Sequence, residues 1–211
     1  LESEQLVQFC QLLTAQGKGN LQTKMDSAGI TAIRITLEED GARAIYNQAL
    51  QVVNTIFQDV RMGQIPSSET ALDASRAMVE TSLSEPYALF SMSLLKDYDN
   101  YTFTHSVNVS VIAVTVGRAC GVSEEELNIL SLGGLLHDVG KMTIDHEIIT
   151  KPGKLNEDEF DKMRQHPTNG AEIVAKMAHV SPIVQDIVNG HHLRYDRTGY
   201  PEDSRGKVLS P

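Results

Sequence analysis

The chain has no surplus of positive charge: 18 lysines and arginines face 28 aspartates and glutamates, for a formal charge of -10. That excludes a surface built to wrap polymeric nucleic acid, and a polyanionic ligand would need a local basic pocket. Cysteine is almost absent. Cys10 and Cys120 lie far apart, each in an apolar helical context, so a disulfide framework is excluded. Two buried thiols in a reducing, cytoplasmic setting are expected instead. No apolar run approaches the length of a membrane span, and none is expected in this segment. The first residues carry Glu2 and Glu4 and no basic run, unlike a secretory leader. Internal repeats and low-complexity tracts are also missing. What is present is a hydrophobic content of 41% over 211 residues, enough for one domain of about 120 to 150 residues with a smaller element beside it.

The pattern predicts mainly helix. Residues 1 to 16 read as a short helix that Gly17, Gly19 and Asn20 break, and 21 to 28 as another helical piece. Ile30 to Leu37 alternates as a short strand does. Residues 1 to 40 therefore read as a small α/β fragment, the end of a regulatory or sensory domain. A long helix follows from Ala42 to Met62, with Ile45, Ala49, Val52, Val53, Ile56 and Val60 at helical spacing, stopped by Gly63 and Pro66. It either packs on its neighbour, or relays signals or forms a homodimer. With the helix from Ser68 to Ser82, it makes residues 41 to 83 a linking region.

From residue 84 to 211 the reading is an all-α helical bundle without strands. Ser84 is expected to cap a helix over 85 to 96. The next helix, Thr102 to Ala119, puts His105, Val109, Ile112, Val116 and Ala119 on one face. Ser123 and Glu126 form a capping box for a helix that reaches His137 and Asp138 and closes at Gly140. Within it Gly133 and Gly134 suit close approach of another helix. Asn156 and Glu159 repeat the capping box, in a helix expected to end at His166. Ser181 and Pro182 open a helix with two apolar ridges, Ile183-Ile187-His191 and Val184-Val188-His192, both expected to point inward.

The chemistry concentrates at these helix ends. His137-Asp138 closes an otherwise apolar helix, where a buried polar pair must find partners. Imidazole beside carboxylate suits a metal, and a core histidine bonded to its neighbour is the other reading. His105, His166 and the pair His191-His192 stand at or near further helix ends. His146 and His179 read as peripheral. Convergence of six ligand residues exceeds what one metal needs, and two metals sharing Asp138 as a bridge fit better. A hydroxide bridging two such ions would be a phosphoryl nucleophile at neutral pH. Lys141, one turn after His137, would face the same site and neutralise a phosphate oxygen. The imidazole-rich set disfavours magnesium and suits two divalent transition metals, iron or manganese.

These residues fall in recognisable strings. Asp99-Asn100-Tyr101-Thr102 precedes His105-Ser106-Val107-Asn108-Val109. Leu135-Leu136-His137-Asp138-Val139-Gly140-Lys141 follows, then Lys151-Pro152-Gly153-Lys154-Leu155 and His166-Pro167-Thr168-Asn169-Gly170. The last are His191-His192-Leu193-Arg194-Tyr195-Asp196 and Gly199-Tyr200-Pro201. Over residues 85 to 211 the chain resembles the HD-GYP family, a subgroup of the HD phosphohydrolases that act in bacterial signalling as cyclic di-GMP phosphodiesterases. The resemblance implies an HD-domain helical bundle with His105, His137, Asp138, His166, His191 and His192 as metal ligands and Asp138 bridging. It implies Lys141 near the substrate phosphate, Asp99 as a polar residue beside the site, and Gly199, Tyr200 and Pro201 as a loop at the pocket mouth linked to protein partners. A tight turn is the plainer reading of that loop. Tyr101 stands where some members have a further acidic ligand, which favours two metals over three.

The chain departs from the family pattern at Leu193, usually glutamate, and at Arg197, usually glycine. Lys141, Lys151, Lys154, Arg194, Arg197, Arg205 and Lys207 gather in this half, a set compatible with a basic pocket for a dinucleotide, with Arg194 and Lys154 among the expected substrate contacts. Family members carry one more aspartate ligand further along than Pro211, so the resemblance also implies an incomplete C-terminal end. The expected function is hydrolysis of cyclic di-GMP to linear pGpG and onward to GMP. The alternatives are a catalytically weak or silent module that binds a cyclic dinucleotide or a signalling protein, and an HD enzyme for another phosphoester.

Overall fold

The computed structural model describes residues 19–26, 29–37, 40–94, 101–196 and 198–204. Two antiparallel strands come first, β1 (Gly19–Asp26) and β2 (Gly29–Leu37), paired from Gly19 opposite Leu37 to Asp26 opposite Gly29. The strand expected at Ile30 to Leu37 is β2. The helical piece expected over 21 to 28 is instead largely β1, because Leu21, Thr23 and Met25 alternate with polar residues and find a partner strand. The helix expected over 1 to 16 lies outside the described residues.

Helices make up nearly everything after the hairpin. They are α1 (Asp40–Arg61), α2 (Ser68–Ser84), α3 (Ala88–Ser93), α4 (Tyr101–Ala119), α5 (Glu124–Leu136), α6 (His146–Ile149), α7 (Glu157–Met163), α8 (His166–Val174) and α9 (Pro182–Gly190). Short 3-10 turns occupy Val139–Thr143 and Glu202–Ser204. Among the described residues no helix is long and apolar enough to cross a membrane.

One core joins the long helix to the rest. Ala49, Val53, Ile56 and Phe57 of α1 are buried in the same cluster as Met78 of α2, Val107 and Val111 of α4, Leu135 and Leu136 of α5, and Val184 and Val188 of α9. Phe57 meets Phe103 edge-on with ring centroids 5.6 Å apart. The apolar face of α1 is thus spent against its own bundle, and its outer face carries Arg43, Asn47, Gln48 and Gln51.

The helix starts are set locally. Ser123 Oγ accepts from Glu126 N, and the Glu126 carboxylate accepts from Ser123 N at 3.0 Å, completing the capping box of α5. Asn156 and Glu159 exchange the same pair of bonds at 2.8 Å each for α7, and Ser181 Oγ accepts from Ile183 N at the head of α9.

Other expectations fail for tertiary reasons. Ser84 caps nothing ahead of it; its hydroxyl donates to Glu80 O and Thr81 O and closes α2. On α4 the core takes Val107, Val111 and Val114, while the ridge that carries His105 turns outward, leaving Ile112 and Val116 exposed. On α9 Val184 and Val188 are fully buried; on the other ridge Ile183 is exposed, but Ile187 covers Gly133 of α5 and His191 is 14% exposed, so that ridge points inward beyond its first residue. Cys120, expected to be buried, is exposed beyond the end of α4, and Cys10 lies outside the described residues.

Close helix approach is bought with missing side chains. A Cβ on Gly134 of α5 would lie 2.6 Å from the Ser110 Cα of α4. The two helices come backbone to backbone there, and Ser110 Oγ donates to Ser131 O at 2.9 Å. Gly133, on the adjoining face, is covered by Ile187 of α9. These two contacts bring the start of α4 and the end of α9 to the C-terminal end of α5.

Candidate metal centre

Five histidines and one aspartate meet at that end. His105 comes from the first turns of α4, and His137 follows the last residue of α5. Asp138 enters the 3-10 turn, and His191 and His192 follow α9. His166 does not end a helix as expected. It opens α8, with Pro167 behind it in the first turn, where a missing N–H costs nothing. Gly140 lets α8 in, since a Cβ there would overlap the His166 carbonyl oxygen.

Asp138, 1% exposed, is the centre. Its Oδ1 lies 3.4 Å from His166 Nε2 and 3.7 Å from His191 Nε2. Its Oδ2 lies 3.3 Å from His137 Nε2, 3.8 Å from His105 Nε2 and 2.7 Å from Lys141 Nζ. One carboxylate oxygen therefore serves each of two donor groups. These are Asp138, His166, His191 and His192, and Asp138, His105 and His137.

Backbone carbonyls fix which nitrogen each ring offers. His137 Nδ1 lies 2.8 Å from Gly134 O, His166 Nδ1 2.7 Å from Met163 O, and His191 Nδ1 2.7 Å from Val188 O. A carbonyl only accepts, so each Nδ1 carries a proton, and a ring without a second proton turns a bare Nε2 lone pair inward. All three carbonyls sit in the last turn of a helix, where they lack an intrahelical partner. Sequence reasoning missed these orienting bonds, although a histidine placed just past a helix end was the signal for them.

The donor set fits a cation. His166 Nε2 and His191 Nε2 approach to 3.1 Å, a spacing at which two bare lone pairs repel unless a proton or a metal ion lies between them. Imidazole nitrogens with a single carboxylate are the ligands of borderline transition metals. Burial pushes the Asp138 carboxyl upward. The rings of His137 and His166, with the charges of His137 and Lys141, outweigh it and hold the group well below the usual carboxylate range. Burial, then the charge of His137, pushes His191 down to about 3, and burial with the charge of His166 pushes His192 down to about 4. Burial lowers His105 as well. His191 and His192 thus stay neutral and able to bind metal well into acid.

A stability prediction follows for chelator-treated protein. His191 and His192 titrate near the ordinary 6.5 when unfolded and near 3 and 4 when folded. Below 6.5 the unfolded chain takes up protons that the folded one refuses, so stability falls as pH drops from that value toward 4. The melting temperature is expected to decline steadily between about pH 7 and about pH 5. A flat profile would contradict the lowered pKa values of His191 and His192.

The Gly-Tyr-Pro loop packs onto the centre. The Tyr200 ring stacks on His192 with centroids 4.4 Å apart and 22° between planes, and Phe160 meets Tyr200 edge-on at 6.2 Å. Arg164 lies over the Phe160 ring at 4.5 Å. Burial, then the Asp138 charge, raises the Tyr200 phenol, keeping it protonated. Gly199 has φ 103°, and a Cβ would overlap the His192 carbonyl oxygen, so only glycine lets the loop close there. Phe160 and Arg164 went unnoticed in the sequence because nothing local ties them to residue 200. Lys154 and Arg194 are exposed, and Arg194 N donates to Thr198 O at 2.9 Å. Asp99 and Arg197 lie outside the described residues. His146 and His179 are exposed and apart from the cluster.

The HD domain family matches residues 102–210, which span every ligand of this centre. The chain belongs to the HD domain family. It is homologous to the cyclic di-GMP phosphodiesterase PA4108 of Pseudomonas aeruginosa, 38% identical over 82% of this chain and 42% of the relative. The 3'3'-cGAMP-specific phosphodiesterase 1 of Vibrio cholerae is 31% identical over 58% of this chain and 28% of its own length. The fold matches the HDGYP protein Bd1817 of Bdellovibrio bacteriovorus with a TM-score of 0.63 and 22% identity, over 75% of this chain and 51% of that one. The chain thus spans less than half the length of either of these curated relatives.

Proposed function

We propose that this HD domain is a metal-dependent phosphodiesterase that hydrolyses cyclic di-GMP to linear pGpG and onward to GMP. The observation that carries the reading is the division of the Asp138 carboxylate, one oxygen toward each of two histidine groups. His105 and His137 would hold one ion, His166, His191 and His192 the other, with Asp138 shared. Bound there, a pair of iron or manganese ions would polarise the phosphoryl oxygens and lower the pKa of the attacking water. The chain's own residues do the rest. The carbonyls of Gly134, Met163 and Val188 hold three rings in the donor tautomer. Lys141, within the same turn as Asp138, is placed to offset charge on a phosphoryl oxygen. Tyr200, stacked on His192, walls one side of the centre and excludes water from that ring. Lys154, Arg194 and Asp99 are proposed as outer substrate contacts, and the Gly199–Pro201 loop as the contact for a signalling partner. Residues 1–40 are proposed to be the end of a regulatory unit.

The 3'3'-cGAMP specificity named for the Vibrio cholerae relative makes a hybrid cyclic dinucleotide the second substrate to test. The experiment is anaerobic incubation of the intact, metal-loaded protein with each cyclic dinucleotide, with products identified by mass. Linear dinucleotide or GMP from cyclic di-GMP is the expected result. Turnover of the hybrid alone would move the substrate assignment. Intact substrates with two metals bound would favour a binding module.

A further inference from the structure

Resting on the two-metal reading of this centre, we infer that Lys141 makes the two half-sites unequal, so that the His166–His191–His192 side fills with metal before the His105–His137 side. Three observations carry this. The first side gathers four donor residues and the second three, Asp138 being common to both. The first side also holds the most deeply buried ring, His166 at 1% exposed, while His105 on the second side is 39% exposed; His191 at 14% and His137 at 7% are comparable.

The third observation is decisive. The Lys141 ammonium sits 2.7 Å from Asp138 Oδ2, the oxygen facing the His105–His137 side, and three residues of 3-10 turn hold it there. A cation bonded to Oδ2 at about 2.1 Å would lie within about 5 Å of that ammonium. Two like charges so close, around a carboxylate that is 2% exposed, repel strongly. Oδ1 is not the oxygen the ammonium is bonded to, so a cation there feels less of this. Filling the second side therefore requires the ammonium to swing outward, where its side chain is already 26% exposed. A phosphate oxygen arriving at the centre would hold it in that outward position. Metal loading at the weaker side and anion binding are thereby coupled through one flexible charge.

The test is metal binding, not turnover. Intact protein stripped by a chelator is titrated with manganese(II), and the free ion is followed by its paramagnetic resonance signal. Wild-type protein is expected to show two binding classes of unequal affinity. Lys141→Met, which keeps length and removes charge, is expected to tighten the weaker class at least tenfold and to change the tighter class much less. His192→Ala, which removes a donor from the first side alone, is expected to weaken the tighter class. Lys141→Gln repeats the measurement if the methionine variant does not fold by circular dichroism. Two equal classes in wild type would overturn the inference, as would a weaker class unchanged or loosened in both Lys141 variants. Binding of one ion or none per chain would instead overturn the two-metal reading, and this inference with it.

Discussion

Replacing Asp138 with asparagine is expected to strip the centre of metal and to lower cyclic dinucleotide hydrolysis by at least about a thousandfold. The amide keeps the size of the carboxylate, so the buried space is preserved, but it loses the charge that both donor groups share. Its one oxygen can serve only one side, and its NH2 would point a donor at the other, at His166 and His191 or at His105 and His137. Histidines 3.3 to 3.8 Å from a charged oxygen would then face a neutral group, with the Lys141 ammonium left beside them. Metal analysis of the purified variant and product analysis by mass check both halves of this expectation. A variant that still holds two ions and turns over within tenfold of wild type would show that Asp138 is not the bridge.

Gly140→Ala is expected to lower stability by about 3 kcal/mol, and with it the melting temperature by roughly 10 °C. Its new Cβ would overlap the His166 carbonyl oxygen and lie 2.5 Å from Gly170 N. Both are backbone atoms, so no rotamer change relieves the clash and α8 must move as a whole. Moving α8 pulls His166 away from Asp138, so metal affinity should fall together with stability. Gly41→Ala is the control, since a Cβ there meets nothing within 4 Å, and alanine in a helix is expected to be neutral or stabilising by up to about 1 kcal/mol. Thermal melts of the two variants with and without manganese separate the effects. Equal melting temperatures for Gly140→Ala and wild type would mean that α8 is not held against the turn as described.

Features that depend on neighbours in sequence were legible from it. Capping at Ser123–Glu126 and Asn156–Glu159, and the Ser181–Pro182 start, need only residues within one helical turn, and the structure has each of them. Features that depend on a choice between equivalent faces were not. Helix α4 is apolar nearly all round, with Val107, Val111 and Val114 on one side and Val109, Ile112 and Val116 on another, so its periodicity cannot say which side faces the core. Gly134 decides it, by letting Ser110 sit against α5. The hairpin illustrates the same limit, because a strand is stable only with a partner and β1 finds its partner in β2.

The candidate centre divides in the same way. The order and spacing of His105, His137-Asp138, His166 and His191-His192 determined by themselves which residues form a donor set able to hold a metal, and the structure brings those six together. Only the tertiary structure decided which carboxylate oxygen faces which histidines, that Lys141 takes one of them, and that Tyr200 stacks on His192. The reason is physical. A ligand's identity is local, but its direction depends on where the helix before it ends and how closely the next one can pack. Gly133, Gly134 and Gly140 set that packing, through contacts with residues far from them in the sequence.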